Sequence, residues 1–392
     1  MKLDLEIDKV KEFQESYVSS KKNLELEKNI SKYGVKASVI DKERLASFEY
    51  KFNIELPETK MYNQQNSFQC NIYAFLRVIK SLMKEEDKNI DLSANYIEFY
   101  DKLEKVNSLY NCLIKKDNLT LEFINEKVDR YIGIYGTFHF CREIVNKYGF
   151  VPTEVMKEAS STYNALELIE LLRAKVKTDA LILLGKDQKE KYSLKNKLIK
   201  EAYNLLSKFL GNPPVEFIFK DRKYTPLAFK NNFIHTDLNE FVTVTTFNKK
   251  TFFESNEYIP NVYLNNNEVI LKFSNEKLKE AIILQLRDGV AVWFSSEEST
   301  TLDYDINILD DKLFGYEVDH EVDKNKQLTL NMINYDHAMA ITGALVEDNE
   351  VKQFKVDNSF GYHGKYKGHL IMSSSFLENK VLTCIIDKKY LN

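Results

Sequence analysis

Tryptophan, cysteine, proline and glycine are all scarce in this chain, with 1, 4, 6 and 12 copies among 392 residues. The chain shows no internal repeat and no low-complexity tract. No glycine-rich strand-to-helix turn runs into Lys-Ser or Lys-Thr, so phosphate-loop chemistry has no carrier. The cysteines, Cys70, Cys112, Cys141 and Cys384, lie far apart without paired spacing. That excludes a zinc ribbon or a dense disulfide framework and leaves reduced thiols. A hydrolytic metal site also lacks its ligands: His320-Glu321 does not continue into a second helical histidine, and His363 with His369 has no matching acidic set.

An excess of one charge is missing as well. Lysine and arginine total 55 against 59 for aspartate and glutamate, a net −4 that gives no global attraction to phosphate or anionic lipid. The basic stretch holding Lys186, Lys189, Lys191, Lys195, Lys197 and Lys200 is interleaved with Asp187 and Glu190, so it reads as a solvated helix face. Nucleic acid is not an expected partner. Charges interrupt every apolar stretch well before the ~18 residues a membrane span needs. The opening Met1-Lys2-Leu3-Asp4-Leu5-Glu6 carries acids and no apolar signal region, so a soluble, cytoplasmic protein with no membrane association is expected.

What the chain does have is 44% hydrophobic and 12% aromatic residues, enough to bury a large core across two domains or more. Leu5, Val10, Phe13 and Val18 sit among many charges and predict an amphipathic first helix packed on the outside of the core. From Asn66 the signal sharpens: Ile72, Phe75, Leu76, Ile79, Leu82 and Met83 recur at helical spacing, and Ser67 is placed as an N-cap, predicting a buried helix from about Phe68. Residues 85–210 read as mainly helical, clearest at 138–148, 165–175 and 195–210, until Gly211-Asn212-Pro213-Pro214 ends the pattern. β-Branched and aromatic runs follow at 241–247 and 290–294, then four strands at 337–346, 353–357, 369–373 and 381–387, punctuated by Gly361, Gly364 and Gly368. Helices first and a sheet last is the segregated pattern of an α+β protein.

For any one cysteine taken blind, a small buried hydrophobe is the default reading. Cys70 stands apart, because a segment capped at Ser67 puts it in the first turn of a buried helix. Unpaired N–H groups and the helix dipole stabilise a thiolate there and lower a thiol from ~8.5 toward ~3.5–7.5. A thiolate nucleophile needs a base, a group that orients the base, and donors for the oxyanion. Of six histidines, only His337 heads a strongly apolar strand, His337-Ala338-Met339-Ala340-Ile341-Thr342-Gly343. Asn358 follows the strand 353–357, so adjacent antiparallel strands would bring its side chain to the imidazole, as in a Cys-His-Asn triad. Gln64 lies on the loop before Cys70, placed to donate its amide N–H to the oxyanion beside the Cys70 backbone N–H.

Three blocks, Asn63-Gln64-Gln65-Asn66-Ser67-Phe68-Gln69-Cys70, the His337 segment, and Phe354-Lys355-Val356-Asp357-Asn358-Ser359-Phe360-Gly361, resemble the active-site blocks of the bleomycin hydrolase and aminopeptidase C family of papain-like cysteine peptidases. Supporting stretches fall in the family's order: Lys147 to Pro152, Tyr224-Thr225-Pro226-Leu227, Asp288 to Phe294, and Lys365-Tyr366-Lys367-Gly368. Cys70 and His337 lie much further apart than the ~130–150 residues of papain itself, and the family's helical insertion would fill the difference.

The resemblance implies a papain-like α+β fold in which residues 1–84 carry the nucleophile helix, 85–210 are a mainly helical insertion, and 211–392 form the β-rich part with His337 and Asn358. By motif matching, Cys70 is the nucleophile, His337 the acid and base, Asn358 the orienter and Gln64 an oxyanion donor. Peptide substrates, a homohexamer, and no metal or organic cofactor are implied.

The sequence departs from that pattern in places. Family members usually have Gly-Arg before the cysteine and Trp after it, where this chain has Phe68-Gln69 and Asn71; Phe360 replaces the usual Trp past the asparagine; and the charged Asp336 precedes His337. In relatives a further C-terminal segment folds back into the cleft to receive the substrate's amino terminus, whereas this sequence ends at Lys389-Tyr390-Leu391-Asn392. Relaxed specificity with endopeptidase cleavage is expected from that difference. A catalytically inactive papain-like scaffold or binding protein is the alternative.

Overall fold

The structure is a computed structural model that describes residues 4–248, 269–297, 302–303, 306–315, 322–333 and 335–391. The His320-Glu321 pair lies outside the described residues. Four short helices open the chain: α1 (Ile7–Ser19), α2 (Lys21–Tyr33), α3 (Val35–Val39) and α4 (Lys42–Ala46). None of them contains a buried residue, so the amphipathic opening segment is more solvated than a helix packed on a core.

The strand β1 (Ile54–Glu55) precedes α5 (Cys70–Leu82), in which every residue from Asn71 to Lys80 is buried. A helix with apolar residues around most of its circumference has to be enclosed. One side meets α6 (Ala94–Lys115) and α8 (Phe138–Tyr148), and the other meets strands β6 (Val292–Ser296) and β9 (His337–Glu347). The two cations this helix carries inward reach carboxylates: Arg77 Nε donates to Asp357 Oδ2 at 2.7 Å and Lys80 Nζ to Asp91 Oδ1 at 2.9 Å.

Helix α5 begins at Cys70 and not near Phe68, and Gln69 in the cap position, with φ −98° and ψ 24°, makes no side-chain cap bond. Phe68 is the reason, because its φ of +54° lies in the left-handed region and interrupts a helical path. An L-residue held there costs ~1–2 kcal/mol. Ser67 therefore does not cap the helix, and its buried hydroxyl has no hydrogen-bond partner among the described residues.

Helices α6, α7 (Leu121–Tyr131), α8, α9 (Ala165–Leu183) and α10 (Gln188–Leu210) form the helical stretch, with Ser93, Thr120, Thr137 and Asp187 accepting N-cap bonds at α6, α7, α8 and α10. After Gly211 come the small hairpin β2 (Phe217–Phe219) and β3 (Arg222–Tyr224), and then α11 (Pro226–Phe233), which has proline in its first turn.

The main sheet runs β5 (Ile270–Lys272), β4 (Phe241–Thr245), β12 (Val381–Asp387), β6, β9, β10 (Glu350–Asp357), β11 (His369–Ser373), β8 (Ile308–Leu309), β7 (Leu302–Asp303), with β1 added to β9. Strands β9 and β10 form a hairpin closed by Asp348-Asn349, both at positive φ, the backbone a tight two-residue hairpin turn demands. The long strand β9 pairs along one edge with β10; its other edge pairs first with β6, where Ser296 faces His337, and later with β1, where Ile54 faces Ala344. Gly343 permits that second pairing, since a Cβ there would lie 2.7 Å from the Ile54 carbonyl oxygen. One hydrophobic cluster runs from α5 through the helical stretch into the sheet, so both halves share a core. Among the described residues no helix is long and apolar enough to cross a membrane.

Candidate active site

Cys70 is the first residue of α5 and is half-buried, so its own N–H is among the first helical N–H groups, which have no intrahelical acceptor. The helix start lies nearer to the thiol than the sequence pattern indicated, which places Cys70 where the positive end of the dipole acts most strongly. The helix is anchored from both sides: Trp293 Nε1 on β6 donates to the Asn71 carbonyl at 3.1 Å, and the Asn71 amide reaches Cys141 Sγ on α8 at 3.5 Å.

His337 is the first residue of β9 and only 5% exposed. Its Nε2 makes a 2.8 Å hydrogen bond with Asn358 Oδ1, immediately beyond the end of β10. The same oxygen accepts from the Ser359 N–H at 2.8 Å, which fixes the amide's orientation. The imidazole also hydrogen-bonds Cys70, a contact that falls to Nδ1 because Nε2 faces Asn358. Burial pulls the imidazole pKa down, but the Cys70 charge and hydrogen bond, the Asn358 bond and the Asp336 carboxylate together raise it above the ordinary value. The Phe360 ring stacks on the imidazole with centroids 5.5 Å apart and planes 18° apart, covering one face of the ring.

Gln64 is buried, and its Oε1 accepts from Ser359 Oγ at 3.2 Å. That bond holds the carbonyl end and leaves the amide nitrogen as the free donor end. Two backbone bonds align the loop with the asparagine segment: Gln64 N donates to the Ser359 carbonyl at 2.7 Å, and Gly361 N donates to the Tyr62 carbonyl at 2.7 Å. The structure thus brings Cys70, His337, Asn358 and Gln64 into one group from α5, β9, the end of β10 and the loop before α5. Among the described residues no three His, Cys, Asp or Glu side chains converge in a way that could hold a metal ion.

Two contributors were not assigned from the sequence. Ser359 links the asparagine block to Gln64, and its only signal was adjacency to Asn358. Asp357 holds the end of β10 through Arg77, through Thr342 Oγ1 at 2.8 Å and through His369 Nδ1 at 2.8 Å. Burial pushes the Asp357 carboxyl up, but the Arg77 charge and the His369 and Arg77 hydrogen bonds hold it well below the usual carboxylate range.

Comparison with known proteins agrees with this architecture. The family described as Peptidase C1-like matches residues 4–392. An aminopeptidase C of Listeria innocua is 28% identical over 420 residues, covering 100% of this chain and 94% of the relative. An aminopeptidase G of Lactobacillus delbrueckii subsp. lactis is 27% identical, covering 100% and 95%. A crystal structure of PepW from Lactobacillus rhamnosis superposes with a TM-score of 0.88 at 25% identity, covering 100% of this chain and 94% of that one. With a papain-like α+β fold and a family match along nearly its whole length, the chain belongs to the Peptidase C1-like family, cysteine-type peptidases of the bleomycin hydrolase and aminopeptidase C kind.

Proposed function

We propose that this protein is a cytoplasmic, aminopeptidase C-like enzyme that hydrolyses peptides through an acyl-enzyme on Cys70. The Cys70 thiolate attacks the scissile carbonyl, and the oxyanion is held by the Cys70 N–H and the Gln64 amide. His337, as imidazolium, gives its proton to the leaving amine; it then takes a proton from the water that opens the thioester and returns Cys70 to the thiolate. Asn358 keeps the ring turned toward the thiol throughout. The observation that carries the reading is the chain of contacts from Cys70 to His337 to Asn358, closed by Ser359 onto Gln64. A scaffold that had lost catalysis would have no need to keep that chain intact.

The helical stretch 85–210 is read as an insertion into the catalytic domain formed by 1–84 and 211–392. A homo-oligomer, a hexamer by resemblance, belongs to the same reading. Its support is the exposed apolar side chains of Ile7, Val10, Phe13 and Val18 on α1. A solution mass of a single 45.9 kDa chain in light scattering would remove it.

The deciding experiment compares hydrolysis of matched fluorogenic peptides, amino-terminus free or acetylated, by wild type and Cys70→Ala under reducing conditions. Cleavage that disappears in Cys70→Ala supports the peptidase. Strict dependence on a free amine gives an aminopeptidase, and comparable turnover of acetylated peptides gives the relaxed, endopeptidase form. No cleavage across a broad side-chain panel replaces the enzyme with the binding-protein alternative.

A further inference from the structure

The loop into the nucleophile alternates inward and outward: Gln64, Ser67 and Gln69 are buried, while Gln65, Asn66 and Phe68 are exposed. Phe68 is the anomaly. A phenylalanine at φ +54° carries a backbone penalty that glycine would not have and asparagine would feel least among side-chain-bearing residues. Phe68 is 38% exposed, so the residue lies at the surface and not in the core, where full burial would offset the penalty. A large apolar ring that is neither buried nor relaxed, two residues from Cys70, fits the pattern of strain retained at a functional surface.

We propose that Phe68 is a specificity-determining residue whose ring forms an apolar wall for the side chain of the substrate residue that supplies the scissile carbonyl, favouring aromatic and large aliphatic residues there. This rests on the peptidase reading of the site. The Cα atoms of Phe68 and Cys70 are at most ~7 Å apart, because two trans peptide links separate them. A carbonyl held between the Gln64 amide and the Cys70 N–H is gripped from the two ends of the short stretch that carries Phe68. The residue bearing that carbonyl is the one joined to Cys70 in the acyl-enzyme, so of the substrate residues it is the one held beside the loop that carries Phe68. The departing amine is not joined to the thiol and gains less from it. Covering an exposed phenyl ring with an apolar side chain removes apolar area from both, which is worth about tenfold in binding for ~50–60 Å² of contact.

The test uses peptidyl amidomethylcoumarins that differ only in the residue supplying the scissile carbonyl, with phenylalanine, leucine or glycine there, in free and acetylated series. Wild type, Phe68→Asn and Phe68→Tyr are compared. The expected result is a preference for phenylalanine and leucine over glycine in kcat/KM that falls about tenfold in Phe68→Asn and survives within about threefold in Phe68→Tyr. The melting temperature of Phe68→Asn should be no lower than that of wild type, because asparagine tolerates the left-handed backbone.

A preference unchanged in Phe68→Asn, a preference that increases there, or a large fall in melting temperature would each overturn the proposal; the last would make the ring a structural prop. Binding of the acetylated peptides to Cys70→Ala, with and without Phe68→Asn, separates the two levels of inference. If wild type turns over nothing, the peptidase reading fails. A phenylalanine-over-glycine binding preference lost with Phe68→Asn still supports the wall, whereas equal binding or none overturns it.

Discussion

His337 is held between opposing influences, with burial favouring the neutral ring and the Cys70, Asn358 and Asp336 groups favouring the charged one. The sign of the net effect decides the alkaline side of the pH profile. A raised pKa keeps imidazolium, and with it the thiolate pair, to higher pH, and activity is lost as pH rises through that value. Asp336→Asn removes one of the raising influences, so the alkaline limb of kcat/KM should move to lower pH. Asp336 is exposed, so the difference from wild type should shrink at high salt. Identical alkaline limbs at low salt would show that its carboxylate does not act on the ring. At Gln64 the expectation is a loss in kcat of about 10²-fold for Gln64→Ala, the size typical of one oxyanion donor. Ser359→Ala should lose less, several-fold in kcat with little change in KM, because it frees the amide to rotate without removing it. A larger loss for Ser359→Ala than for Gln64→Ala in the same assay would reverse that ordering of roles.

Helix α5 is legible in the sequence as a buried helix, and its exit at Leu82 lies within the predicted span. Its start was misplaced because N-cap reasoning weighed Ser67 and could not see the left-handed Phe68. The hairpin β9–β10 was legible in outline, and β11 and β12 match the predicted spans, since β-branched runs bounded by Asp348-Asn349 and by glycines leave few alternatives. The tie between β6 and α5 was not legible: Trp293 and Asn71 are 222 residues apart, and the bond uses a backbone carbonyl that carries no sequence signal. Trp293→Phe keeps most of the apolar bulk but removes the indole N–H bond to that carbonyl, which still accepts within α5, a loss of ~0.5–1.5 kcal/mol. Urea denaturation should show this as a lower midpoint with an unchanged slope. The nucleophile is on the same first turn, so kcat should fall as well, and an unchanged midpoint would remove the anchoring role.

Across the whole molecule the two halves are joined by one core and by an ion pair close to the site, Arg77 on α5 with Asp357 on β10, whose side chains are 7% and 11% exposed. With so little water around it, the pair is weakly screened, and removing one partner strands the other charge at a cost of ~3–5 kcal/mol. Asp357→Asn should therefore destabilise the protein strongly at pH 7. Because the folded-state pKa of Asp357 is depressed, its stabilisation is fully present above the unfolded carboxylate value of ~3.9 and is lost as pH falls toward the folded value. The gap between wild type and Asp357→Asn should narrow between pH 5 and pH 2 in denaturation midpoints. A constant gap across that range would mean that the carboxylate is not the linked group.

By itself the sequence determined the order of helices and strands, the enclosure of α5 and the four positions, Gln64, Cys70, His337 and Asn358, that carry the proposed chemistry, because periodicity, turn residues and local blocks are written in adjacent residues. Only the tertiary structure decided how those positions meet. The Ser359 hydroxyl that holds Gln64 and the Arg77–Asp357 pair behind Asn358 join segments 295 and 280 residues apart, and even the Phe360 ring on His337 and the left-handed Phe68 beside Cys70 follow from how the chain turns in the fold. That proximity is set by packing across the shared core, a sum over many contacts that no local pattern encodes.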